Sequence, residues 1–377
     1  MIQRRLENEL LSKWDLDKVI LLTGARQVGK TTLLKKICSS KGNFLYINGD
    51  DAQYRAQLEN AGEQVLRRII QDNKIVFVDE AQRIKDIGLM LKIIHDQIPN
   101  IKLIASGSSA LELFNTLNEP LTGRKFHLKI YPISWDEIVD YNGYLKAISQ
   151  LENHLIFGTY PEILAKPERA QEIIGELTDS YLYKDLLNYK GIRKPEVLDK
   201  LLLALALQVG SEVNYNELSR TIGLDRATIE QYISLLEKTY VLFRLNPLSR
   251  NLRTEINTSR KIYFYDNGIR NSIINNFNGL NTRNDRGALW ENFLISNRIK
   301  HLAYSKKPTR FYFWRTYQQQ EIDWIEERNG QFYAYEFKYK PKKVKFSKTF
   351  LDKYNPIETK IIHKDNFDEF LSERFDN

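Results

Sequence analysis

A chain of 377 residues exceeds what one ordinary core fills and provides for two or three domains, each able to bury its own apolar interior. With 42% hydrophobic and 28% charged residues and no Pro- or Ser-rich tract, the composition excludes a disordered or fibrous chain, while the net charge of +8 is compatible with a polyanionic partner without requiring one. The single cysteine, Cys38, excludes an intramolecular disulfide and a cysteine-cluster metal site, and reads as a small apolar helix residue. The N-terminal stretch is charged, with no apolar signal core, and no stretch elsewhere approaches the ~18 apolar residues of a membrane span, so the expectation is a cytoplasmic protein with no membrane partner.

In the first third, short apolar runs at 19–22, 44–47, 75–78 and 103–105 alternate with amphipathic segments, which predicts a parallel sheet with helices on both faces and an α/β domain over residues 1–131. The loop Gly24-Ala-Arg26-Gln27-Val28-Gly29-Lys30-Thr31 follows the first of these runs and precedes a helical one that begins at Thr32. That is the context of a phosphate-binding loop. Its glycines let backbone N–H groups turn inward on phosphates, Lys30 reaches the β and γ oxygens, and the Thr31 hydroxyl ligates Mg²⁺. The run 74–78 then delivers Asp79 and Glu80 at the end of a strand; Asp79 is predicted to hold the magnesium and Glu80 to polarise the attacking water as general base. The nucleotide expected is ATP.

Residues 132–209 turn helical, with a dense leucine run from Leu201 to Leu207, and read as a connector. Residues 210–255 read as helix, turn, helix and strand, which predicts a winged helix. From 256 to 377, short aromatic strands surround a helical stretch at 288–299, giving a mixed α/β tail.

The loop sequence, the VDE strand, Ser106-Gly-Ser108-Ser109, Leu121-Thr-Gly-Arg124 and Phe157-Gly-Thr-Tyr-Pro-Glu162 together resemble a family of prokaryotic AAA+ ATPases over nearly the whole chain. The resemblance implies ATP hydrolysis by a homo-oligomer. It implies that Ser106 and Ser108 stand where such ATPases sense the γ-phosphate, and that Arg124 acts as a finger toward a neighbouring subunit. A Ser/Gly turn and a solvated arginine are the competing readings of those residues.

In the tail, Asn329-Gly330 is a two-residue hairpin signal. If it forms the loop, Arg328 pairs with Gln331, Asp323 falls opposite Glu336, and Glu321 falls opposite Lys338, all four on one face. Carboxylates placed opposite each other repel unless something lies between them, and a divalent cation, Mg²⁺ or Mn²⁺, is the predicted occupant. With Glu291 from the preceding helix, the set Glu291, Asp323, Glu336 and Lys338 resembles the PD-(D/E)xK nuclease pattern, which implies metal-dependent cleavage of nucleic acid, DNA first. The alternative is a surface ion pair beside a lost site. The leading expectation is therefore an ATP-driven machine acting on nucleic acid. Its rival is an ATP-dependent regulatory switch that binds proteins and carries an inactive tail.

Overall fold

The computed structural model describes residues 2–107, 120–180, 195–248 and 260–372. The chain divides into two compact units, Met1–Ile133 with Lys238–Tyr240, and Ser134–Glu237 with Val241–Asn377.

The first unit is built on five parallel strands, β1 (Val19–Gly24), β2 (Phe44–Asn48), β3 (Ile75–Asp79), β4 (Lys102–Gly107) and β5 (Lys125–Ile130), in the order β2-β3-β4-β1-β5. β1 and β3 are buried at every position. Helices cover both sheet faces, so these strands are apolar throughout instead of alternating. The helix Lys30–Lys41 follows β1, and Ile87–Gln97 packs Ile87, Met90, Leu91 and Ile94 into the core with Val76, Val78 and Leu103. Cys38 is buried in the Lys30–Lys41 helix, where burial pushes its thiol up to about 12. Since all five strands run the same way, the ends of β1, β3 and β4 open on one edge, the edge at which parallel sheets present ligands.

In the second unit, helices Trp135–Asn142, Tyr144–Ser149, Leu151–Phe157 and Ala170–Thr178 lead to Pro195–Leu207. The helices Tyr215–Ile222 and Arg226–Lys238 accompany an antiparallel sheet of β6 (Glu212–Val213), β8 (Arg260–Phe264) and β7 (Leu242–Leu245), with β8 central. A four-stranded sheet follows in the order β12-β11-β10-β9, comprising β9 (Arg310–Arg315), β10 (Glu321–Arg328), β11 (Gln331–Phe337) and β12 (Glu358–Ile362).

The connector, helix-turn-helix and tail stretches do not separate into compact bodies of their own; apart from residues 132–133 and 238–240 they fall together in this unit. The reason is the helix Arg286–Tyr304, which buries polar residues on several faces and gives each a partner. Asn297 accepts from the Trp135 N–H at 2.9 Å, Asn292 exchanges hydrogen bonds with the Phe264 backbone at 2.7 and 3.1 Å, and Arg298 donates to Glu326 at 2.6 and 3.0 Å. A helix with such partners on every side cannot be assigned to one neighbour.

Candidate nucleotide site and tail carboxylate cluster

The loop after β1 turns through Gln27 at φ 58° and Gly29 at φ 94°, both left-handed, which points successive backbone N–H groups into one concavity. Gly24 sits against β5, where an added Cβ would meet the Ile130 carbonyl at 2.2 Å. Arg26 is half-buried and Gln27 exposed, and Thr32 lies exposed in the first turn of the helix. Lys30 is buried, and its ammonium donates to the carbonyls of Gly24 at 3.1 Å and Ala25 at 2.8 Å. One determinant has no sequence signal at all: Arg4, buried, donates to the Val28 carbonyl and to the Tyr131 carbonyl, both at 2.6 Å, and so staples the loop from outside.

Asp79 ends β3 and gathers four donors. Thr31 Oγ1 at 2.6 Å and the Tyr46 hydroxyl at 3.1 Å meet Oδ2, while the Ser106 hydroxyl and the Glu80 N–H meet Oδ1. Ser106 therefore reaches Asp79 from β4, and Ser108 lies outside the described residues. Burial and the neighbouring Asp79 raise the Tyr46 phenol above its ordinary range, so it stays a donor. Glu80 adopts φ 46°, an uncommon left-handed conformation for a residue with a side chain, and its carboxylate accepts from Gln82 Nε2 at 2.6 Å. Arg124 does not project freely; its guanidinium holds Asp96 of the Ile87–Gln97 helix at 2.9 Å.

Deeper in the unit, Thr23 Oγ1 lies 2.7 Å from His127 Nε2 and 2.5 Å from the Tyr240 hydroxyl. Burial, with Lys129 and Lys125 nearby, lowers His127 to about 4. Neither partner of Thr23 carries a sequence pattern that singles it out.

The tail hairpin has the expected turn, with Asn329 at φ 50° and Gly330 at φ 77° and Arg328 paired with Gln331. The ladder runs to Trp324 opposite Tyr335, one step short of Asp323 and Glu336. On its other side, β10 shifts register against β9 between Ile322 and Ile325, and such an irregularity re-aims the side chains within it. Asp323 Oδ2 accepts the Phe337 N–H at 2.7 Å.

What lies between the carboxylates is lysine. Lys338 Nζ stands 3.1 Å from Glu336 and 3.8 Å from Asp323. Glu321, expected opposite Lys338, instead pairs with the ammonium of Lys261 from β8 and with Arg315 at 3.7 Å. Lys261 also reaches Glu291 at 3.2 Å, and the Tyr263 hydroxyl donates to the same Glu291 oxygen at 2.6 Å. Two ammonium groups thus stand among these carboxylates, Lys338 beside Asp323 and Glu336 and Lys261 beside Glu291 and Glu321.

At both glutamates burial outweighs the neighbouring ammonium group. Burial, reinforced by Asp323, raises Glu336 to about 8 against the pull of Lys338. Burial raises Glu291 to about 7 against Lys261. Burial alone would lower Lys261, but Glu291, Asp323 and Glu321 outweigh it and hold the ammonium charged. Beyond Lys338, Tyr339 packs edge-on to Trp290 at 5.7 Å and Phe346 lies against the Trp314–Phe350 core, while Lys340, Lys342, Lys343, Lys345 and Lys348 are exposed.

On the helix Arg226–Lys238, Arg226 is paired with Glu230 at 3.0 Å, Glu237 with Arg244, and Asp225 accepts from Thr228 at 2.9 and 2.6 Å. No helix among the described residues is long and apolar enough to cross a membrane.

A parallel sheet with a phosphate loop after β1 and a carboxylate after β3 defines an α/β P-loop domain, and residues 16–139 match the family model described as AAA domain. The first unit is thus an AAA-type P-loop ATPase domain. Residues 148–280 and 286–374 match two models each described as a domain of unknown function, DUF8612 and DUF4143. The chain is 28% identical to an uncharacterized protein of Mycobacterium tuberculosis over 85% of this chain and 70% of that one. It is 27% identical to an uncharacterized protein of Haemophilus influenzae, over 71% and 72% respectively. Among solved structures, the Walker-type ATPase PABY2304 of Pyrococcus abyssi shares the fold, with a TM-score of 0.52 at 16% identity over 73% of this chain and 96% of that one.

Proposed function

We propose that this chain is a Mg-ATP hydrolase whose nucleotide cycle switches a macromolecular interaction. The observation that carries the first half is the 2.6 Å contact between Thr31 Oγ1 and Asp79 Oδ2 at the mouth of the Lys30 loop. The residues fit a magnesium–triphosphate: the left-handed turn at Gln27 and Gly29 supplies inward N–H groups, Lys30 exchanges two backbone carbonyls for phosphate oxygens, and Thr31 and Asp79 hold the metal. When bound, the metal neutralises charge developing on the phosphates. Glu80 accepts the proton of the attacking water, once turned from Gln82. Ser106 keeps Asp79 aimed. Phosphate release from ATP by the parent, Lys30→Ala and Glu80→Gln proteins tests the assignment, and hydrolysis at the parental rate in the glutamine variant would remove Glu80 from its role.

For the output, we propose partner binding in preference to cleavage of nucleic acid. The favouring observation is that Arg226 of the helix Arg226–Lys238 and Arg244 beside it are each paired with a glutamate of that helix, which leaves those two arginines less able to attract phosphates. Duplex DNA binding measured across a salt series discriminates: strong binding with a steep salt slope would restore the nucleic-acid reading. Self-association belongs to the same proposal. Arg124 must leave Asp96 to reach a neighbouring subunit's phosphate, so sedimentation with ATP should show assembly that Arg124→Ala lacks.

A further inference from the structure

We propose that Lys261 is the built-in cation of the tail cluster, seated where Glu291, Glu321 and Asp323 converge, and that it keeps a divalent ion out. A carboxylate cluster binds metal through oxygens with lone pairs to spare. Here one oxygen of each is already engaged: the Oε1 of Glu291 takes both Lys261 and the Tyr263 hydroxyl, the Oε1 of Glu321 takes Lys261, and the Oδ2 of Asp323 takes the Phe337 N–H and faces Lys338. Lys261 is only 1% exposed, so its ammonium cannot withdraw into solvent. Its methylene stem runs beside Phe313, with the ammonium 5.6 Å from the ring centre. A divalent ion entering this space would bring two positive charges up against a buried third, and evicting the lysine would strand a charge without water.

The device belongs to β8. Lys261 and Tyr263 are two apart on that strand, share a face, and both hold Glu291. β8 is also the central strand of the sheet that accompanies the helix-turn-helix, so the cation position is emptied only if β8 shifts within that sheet. The inference is independent of ATP hydrolysis by the first unit.

Mn²⁺ binding to the full chain, measured by calorimetry without nucleotide, tests it, with a site assigned to the tail only where Asp323→Asn removes it. The wild type is expected to show no such site, and Lys261→Gln to gain one that disappears in the Lys261→Gln, Asp323→Asn double variant. Lys261→Arg, which keeps the charge, should remain without one. Thermal melting supplies a second readout: Mn²⁺ should raise the melting temperature of the glutamine variant and leave the wild type unmoved. An Asp323-dependent Mn²⁺ site in the wild type or the arginine variant would overturn the proposal, as would a folded Lys261→Gln protein that gains no site. The wild-type and arginine arms decide the matter even if the glutamine variant fails to fold.

Discussion

The two clusters of charge in this molecule are built on opposite plans. Around Asp79 the protein gathers neutral donors, a threonine, a tyrosine, a serine and a backbone N–H, which aim the carboxylate without cancelling its charge. Around Asp323 and Glu336 it gathers cations, Lys338 directly and Lys261 across Glu291 and Glu321, which offset part of it. A carboxylate oriented by dipoles still attracts a metal and a phosphate chain; one neutralised by ammonium groups is stable and inert. Similar residue types are thus set among neutral donors in one unit and beside ammonium groups in the other.

Substitution at the first cluster should cost activity, and at the second, stability. The largest effect expected is on turnover. Lys30→Ala should lower ATP hydrolysis by on the order of 10²–10³ and weaken nucleotide binding, and Glu80→Gln should lower it by roughly 10²–10⁴ with binding retained. Phosphate release paired with binding of a fluorescent ATP analogue separates the two.

In the second unit, Arg298→Ala should cost about 3 kcal/mol, because buried Glu326 loses the guanidinium that holds both its oxygens and keeps only Arg328 and the Trp324 N–H; urea unfolding followed by tryptophan fluorescence reads this. Asp323→Ala should be smaller, a loss of about 1–3 kcal/mol. Bare repulsion between Asp323 and Glu336 would have made that substitution stabilising, but the side chain accepts the Phe337 N–H and faces Lys338. A stabilised Asp323→Ala protein would mean the lysines do not neutralise the cluster.

The smallest effects, with the clearest signs, are in pH. Folding lowers His127 from 6.5 to about 4, so its contribution to the first unit is complete above 6.5 and is lost as the pH falls through 4, on the order of 3 kcal/mol in all. Folding raises Glu291 from 4.5 to about 7 and Glu336 from 4.5 to about 8, so their contribution is complete below 4.5 and is lost as the pH rises through 7 and 8. Thermal melts across pH 4–9 should show this opposition, with His127→Gln flattening the acid limb and Glu336→Gln the alkaline one.

Much of the first cluster was legible in the sequence because its determinants are local. The fully buried strands ending at Gly24 and Asp79 announce themselves as apolar runs, and the glycine loop needs its residues at fixed short spacing for the backbone to turn inward. The hairpin was legible for the same reason: Asn329 and Gly330 take left-handed φ that few other residues tolerate, and the turn then dictates the register by counting. What the sequence by itself could not determine was which distant side chains would complete each cluster. Arg4 on the phosphate loop, His127 and Tyr240 on Thr23, and Lys261 on Glu291 and Glu321 are brought to their partners by packing across long separations, and no spacing records such contacts. That decision mattered most in the tail. The hairpin alone sets two carboxylates against each other and invites a metal, whereas the tertiary structure also brings β8 alongside and sets the Lys261 ammonium on the neighbouring Glu291 and Glu321, because a buried charge takes whatever partner of opposite sign the fold makes available.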